Sequence, residues 1–220
     1  KGGLTIYLPK SWLEARDLAA GAEVNIEEEG NSLVIGPGAP QKKREKHLIV
    51  SSLAESSIRT LITSIYRAGY DSASVRFSDK ETVKIIEKVG ENQVLGFELV
   101  KKSDKECIIE NITEPSADQL ENIFNKVMMN IEELFDQALN YKKGETAYEE
   151  TEQRIIRFDN FCRRVVAKTK PREFHIRWAF QTALNHGQRE IYHMLVYLNK
   201  ARGKICPDVA GLLHSTKEGF

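Results

Sequence analysis

The chain of 220 residues has few of the features that mark chemistry. Its three cysteines, Cys107, Cys162 and Cys206, stand far apart. That spacing excludes a Cys-x-x-Cys redox pair and a zinc-finger-type cluster, and buried structural thiols in a reducing cytoplasmic setting are the expectation. No glycine-rich loop is present to cradle a phosphate, and neither a Gly-x-Ser-x-Gly elbow nor a Ser–His–Asp context occurs. An enzyme reading therefore has nothing to rest on. No apolar run approaches the ~18–20 residues a membrane helix needs, and no signal peptide is visible. Internal repeats and low-complexity tracts are missing. So is net charge, because 32 basic side chains face 32 acidic ones.

What is there is a globular composition, 41% apolar and 29% charged, long enough for two or three domains with a sizeable core. The charges cancel only in total. Residues 1–40 carry three Lys/Arg against six Asp/Glu, and residues 114–150 carry three against nine. Residues 151–204 carry twelve against four, whereas 46–113 balances at ten each. This segregation says more than the sum.

Periodicity divides the chain. Leu4, Ile6 and Leu8 alternate with polar or aromatic neighbours, the period of a half-buried strand, and Pro9 ends it. Ser11 and Glu14 have the spacing of a capping box for a short helix over 12–18. Glu23–Ile26 and Leu33–Ile35, joined through Gly30-Asn31, predict a hairpin. A unit this small has too few strands to close a core alone, so it must pair with another chain or domain. Gly36 to Lys46, rich in glycine, proline and then charge, reads as a linker over 37–46.

Residues 47–113 read as a small α/β domain. Strands are expected at 47–50 and 73–77, helices at 55–68 and 80–89, and a hairpin at 94–100 and 106–112. Residues 114–204 read as three long antiparallel helices, part of a helical bundle over 114–220. The first carries a seam of Leu120, Phe124, Val127, Ile131, Leu134, Ala138 and Tyr141. The second runs from Ala147 to Lys168 over Ile155, Phe158, Cys162 and Val165. The third, after Pro171, carries a stripe of Ile176, Phe180, Ala183, Gly187, Ile191, Met194 and Leu198.

Two resemblances attach to these residues. Gly3-Leu4-Thr5-Ile6-Tyr7-Leu8-Pro9-Lys10 and Leu18-Ala19-Ala20-Gly21-Ala22-Glu23-Val24-Asn25-Ile26 resemble the AbrB/SpoVT-type DNA-binding family over residues 1–36. That resemblance implies a swapped-hairpin β head made by two chains, contacting double-stranded DNA. The family's first strand and basic N-terminal stretch have no counterpart in this sequence. Further on, Arg67-Ala68-Gly69-Tyr70-Asp71, Leu95-Gly96-Phe97-Glu98-Leu99-Val100 and the stretch from Glu152 to Asp159-Asn160-Phe161-Cys162-Arg163-Arg164-Val165-Val166 resemble, in that order, the archaeal branch of the PhoU phosphate-uptake regulators. Such bundles usually hold two three-helix units. One is recognisable here, so the expectation is that the bundle is incomplete. The fold class implied is a multidomain α+β protein: swapped-hairpin head, small α/β domain and antiparallel PhoU-like bundle.

Candidate DNA contacts are the cations of the head and linker: Lys1, Lys10, Arg16, Lys42, Lys43 and Arg44. The acidic balance of residues 1–40 works against them, because affinity grows with the number of phosphates neutralised. PhoU-like proteins carry acidic pairs at i and i+4 that suit hard cations. Here Ile155 occupies the position four before Asp159, and Glu152 and Glu149 are the remaining candidates on that face. A second candidate metal cluster is His186, Glu190 and His193, with a single Glu-x-x-His pattern where di-iron bundles need two. The basic excess of 151–204 fits charge pairing with the acidic first helix, or a surface for a partner or anion.

Three functions follow. One is a cytoplasmic regulator linked by resemblance to phosphate uptake, acting as a homodimer on DNA with a helical sensor and needing no cofactor. The second is an adaptor whose bundle docks on a phosphate transporter, kinase or other sensor protein. The third is a metal-binding bundle.

Overall fold

The structure, a computed structural model, describes residues 5–29, 32–37, 43–50, 54–113, 119–171, 173–201 and 203–219. It separates into two compact units, residues 1–43 and 44–220.

The first unit holds a short helix, α1 (Lys10–Glu14), and the antiparallel hairpin β1 (Val24–Glu29) and β2 (Ser32–Pro37), with Ile26 opposite Ile35. The hairpin is longer than its periodicity predicts, and its turn at Gly30-Asn31 lies outside the described residues. Two expectations fail locally. Thr5–Pro9 has strand-like alternation but no regular structure. A strand exists only through a ladder, and no described strand runs beside this segment. The helix starts at Lys10 rather than Trp12, with Ser11 inside it and no side-chain cap. The extended Pro9 carbonyl takes the N–H groups of Trp12 and Leu13 at 3.0 and 3.2 Å, which leaves Ser11 no capping role.

The second unit starts with a four-stranded sheet in the order β3-β4-β6-β5, from β3 (Glu45–Val50), β4 (Ser72–Phe77), β5 (Phe97–Lys102) and β6 (Glu106–Asn111). β3 and β4 are parallel across α2 (Glu55–Arg67), and β6 is antiparallel to both β4 and β5. β3 begins at Glu45, so the segment expected to be linker contributes to the sheet at its end. Helices cover one face. Ile58, Ile62 and Ile65 of α2, with Val83, Ile86 and Val89 of α3 (Glu81–Gln93), form a core with Val75, Phe97, Cys107 and Ile109. The opposite face is open, and Ile49 and Val100 lie on the solvent side. Asp79 accepts the Glu81 N–H at 2.9 Å just before α3, which runs four residues past Val89.

Four helices follow: α4 (Leu120–Leu139), α5 (Ala147–Thr169), α6 (Phe174–Ala201) and α7 (Pro207–Glu218). Asn130 and Glu133 meet Arg154 while Gln137 meets Thr151, so α4 and α5 are antiparallel. Arg163 meets Thr182 while Asp159 meets Asn185, so α5 and α6 are too. The α4 seam is largely as spaced in sequence, with Ile123 and Phe135 added. The α6 stripe is not. Its buried residues are Gln181, Gln188, Ile191 and Leu195, while Ile176 and Phe180 are 72% and 51% exposed. Two glutamines on the inward face rotate the helix away from the reading that apolar residues alone suggest. The fourth helix is a further departure. α7 buries Leu213 and reaches α4 through the ion pair of Lys217 with Asp136.

Candidate functional site

α5 is the element around which the site is built. It packs on α4 and α6 on one side and on α2 and α3 on the other. Residues 159–166 are therefore buried without a break, although the run contains Asp159, Asn160, Arg163 and Arg164. Buried polar groups must be satisfied, and each finds partners on a different neighbour.

Arg164 is 0% exposed. Its Nη1 donates to the carbonyls of Tyr66 and Tyr70 at 3.1 and 2.7 Å, and Nη2 donates to Asp71 Oδ1 at 3.0 Å. Tyr66 is in the last turn of α2 and Tyr70 lies just past it, where the macrodipole favours a cation. The guanidinium also lies over the Tyr66 ring, 4.9 Å from its centroid. Asp71 gathers further donors, the Arg44 N–H at 3.0 Å and Lys168 Nζ at 3.2 Å. Burial pushes the Asp71 carboxyl up, but these hydrogen bonds and the charges of Lys168 and Arg164 outweigh it and hold the group below its ordinary range. Gly69, between the two carbonyls, has φ +78°, and a Cβ there would meet the Lys168 stem at 2.7 Å.

One turn earlier, Asn160 donates to the Gln93 carbonyl at 2.6 Å and accepts from Arg67 Nε. Asp159 is paired with Arg163 at 2.8 Å and accepts from Asn185 of α6 at 3.0 Å. Arg163 reaches on to Thr182 at 3.0 Å and lies over Trp178. Burial raises the Asp159 carboxyl, with Arg163, Arg67 and Asn185 working against it. Arg67 is held below its ordinary range by burial first. Asp159 opposes that shift, and repulsion from Arg163 and Arg189 adds to it. Tyr66 ties in the third stretch, its hydroxyl donating to the Leu95 carbonyl at 3.0 Å. Leu95 packs against the bundle core. Residues 66–71 and Leu95 are thereby tied to the buried run of α5 and to each other.

Beside this junction, α2, α5 and α6 enclose a cleft of about 470 Å³. Arg59, Thr63 and Arg67 line it from α2, Glu152 from α5, and Arg189 and His193 from α6. Glu152 is 8% exposed and has no hydrogen-bond partner among the described residues. Burial raises its carboxyl, against the attraction of Arg189 and Arg59.

No family model, curated protein or solved structure matches the chain. Function must be read from these residues themselves.

The candidates from the sequence are dispersed. Lys10 is exposed and lies 3.8 Å from Glu14, and the Arg16 guanidinium stacks 4.5 Å over Trp12. Lys43 is exposed, and Lys1 and Lys42 lie outside the described residues. Arg44 is drawn into the α/β domain, its Nη1 donating to the Ala68 carbonyl at 2.8 Å and its guanidinium over Tyr70. Glu149 is exposed, Glu152 lines the cleft, and Asp159 is engaged by Arg163 and Asn185. His186, Glu190 and His193 are all exposed on α6. Among the described residues no three His, Cys, Asp or Glu side chains gather as a metal would require. The basic excess divides. Arg154 and Arg177 pair with Glu133 and Glu121 of α4 as charge complementarity predicts, whereas Arg164 and Lys168 turn to the α/β domain. Sequence reasoning missed that second destination. Its signal was an Asp159–Arg163 pair beside Asn160 and Arg164, four polar residues set among Ile155, Ile156, Phe161, Cys162, Val165 and Val166.

Two cysteines fit the expectation of buried thiols. Burial pushes Cys107 up to about 11 and Cys162 up to about 12, while Cys206 is exposed.

Proposed function

We propose that the chain is a DNA-binding transcriptional regulator of the phosphate-uptake type, acting as a homodimer through its head and sensing its signal in the second unit. One observation carries the reading. Among the side chains described in the head, none is buried, and Ile6, Tyr7, Ile26, Leu33 and Val34 are exposed, Tyr7 at 92%. Isolated exposed apolar residues are ordinary, but five in a unit that buries none of its described side chains call for a covering surface. The unpaired Thr5–Pro9 segment has the alternation of a strand awaiting a ladder, and a second copy supplies both. Pairing doubles the set of Lys10, Arg16 and the flanking cations, which positions them for phosphates on a duplex. The test is fluorescence anisotropy of the full chain with duplex DNA from its own promoter at about 50 and 200 mM salt. Affinity is expected to fall at least tenfold between them, as phosphate contacts dictate. No retention at the lower salt would sink the DNA assignment.

The adaptor reading is favoured by a different feature, the outward Ile176 and Phe180 of α6 beside an apolar groove with Leu120 and Phe124. In that reading the head serves to dimerise and the bundle docks a transporter or kinase. Dimerisation without DNA binding would select it.

A further inference from the structure

The cleft between α2, α5 and α6 has a chemistry that its own residues leave incomplete. Three guanidiniums border it, and only one has a carboxylate partner, Arg59 with Glu55. Arg67 spends its Nε on Asn160, and its Nη nitrogens have no partner among the described residues. Arg189 makes no hydrogen bond or ion pair among them. Planar guanidinium forks with free N–H groups are the protein's usual receptor for phosphate or carboxylate oxygens. The exception in the lining is Glu152, a carboxylate 8% exposed and without a hydrogen-bond partner. A carboxylate set among guanidiniums in such a cleft repels any oxyanion with only lone pairs to offer. It favours one that still carries a proton, because that O–H can donate to it.

We infer that this cleft binds a hydrogen phosphate group, free or carried on a small monoester. Arg67 and Arg189 take its anionic oxygens, and Glu152 accepts its O–H. Sulfate has the same size and tetrahedral shape but no proton near neutral pH, so Glu152 excludes it. A site built to pair with a donor rejects the isostere that lacks one far more strongly than a shape-matched site does. The site deepens the regulatory reading by giving the second unit an effector, but it does not depend on DNA contact.

The test is calorimetric titration of the full chain, without DNA, using inorganic phosphate, glycerol phosphate and sulfate as separate arms. Binding of one or both phosphates is expected, with sulfate at least roughly tenfold weaker. Arg189→Gln, at an exposed position outside the folded network, is expected to weaken phosphate about tenfold. Glu152→Gln supplies an amide N–H where the carboxylate was, and is expected to bring sulfate within about threefold of phosphate. Circular dichroism of both variants checks that they fold. The inference is overturned if neither phosphate binds the wild-type chain, if sulfate binds it equally, or if a folded Glu152→Gln variant keeps the original preference.

Discussion

At the scale of single residues, Arg164 ties α5 to the end of α2 and to Asp71. A buried cation is costly to desolvate, and its net worth against an apolar substitute can be near zero when every partner is removed with it. Removing the arginine alone is different, because two carbonyls and Asp71 are left behind. Arg164→Met is expected to lose about 3–5 kcal/mol in urea unfolding. Arg164→Lys should recover little, since one ammonium cannot span three acceptors in a plane. Asp71 gives the partner experiment. Its folded carboxyl titrates below the ordinary 3.8, so the stability it contributes is present above that value and lost as pH falls through the folded one. Asp71→Asn is therefore expected to lower stability at neutral pH and to flatten the decline below about pH 4 in acid-dependent urea melts. A curve parallel to the wild type would refute the assignment.

At the scale of elements, the turn before β5 is the least forgiving. Gly96 has φ +71°, and a Cβ on it would meet the Thr113 carbonyl oxygen at 1.6 Å, a backbone atom that cannot swing aside. Gly96→Ala is expected to cost more than about 2 kcal/mol, read as a lowered unfolding midpoint. Gly187→Ala on the exposed side of α6, where nothing stands within 4 Å, is expected to stabilise slightly. Elements whose burial is one-sided were legible in the sequence. α2, α3 and α4 show their faces through Ile58, Ile62 and Ile65, through Val83, Ile86 and Val89, and through Val127, Ile131 and Leu134. α5 was legible in extent but not in role, because periodicity has no symbol for a stretch buried all round, as 159–166 is. α6 was misread because Gln181 and Gln188 face inward while Ile176 and Phe180 face out. The cleft was illegible for a related reason. Arg67, Glu152 and Arg189 come from three helices, and nothing in their local spacing brings them together.

At the scale of the whole molecule, the two units are held by unlike means. The second has two cores, one under the sheet and one in the bundle. The head has a hairpin whose apolar side chains remain uncovered. Ile26, paired with Ile35 across the hairpin and 56% exposed, is the place to test what covers it. Ile26→Asp is expected to convert a dimer at micromolar concentration into a monomer in light scattering, while the melting of the second unit stays unchanged. A wild-type monomer under the same conditions would refute the pairing.

The continuous burial of residues 159–166 also limits how this chain can be divided. A cut between residues 113 and 114, where the α/β domain ends by its sequence pattern, separates α5 from α2 and α3 and takes Leu95 away from the bundle core. It would leave Arg164 facing water on one fragment and an uncapped α2 on the other. Genetic fusions, truncations and domain exchanges must therefore carry residues 44–220 as one cassette. The natural joint for recombination is the segment before Arg44, where a different head could be exchanged without reopening either core.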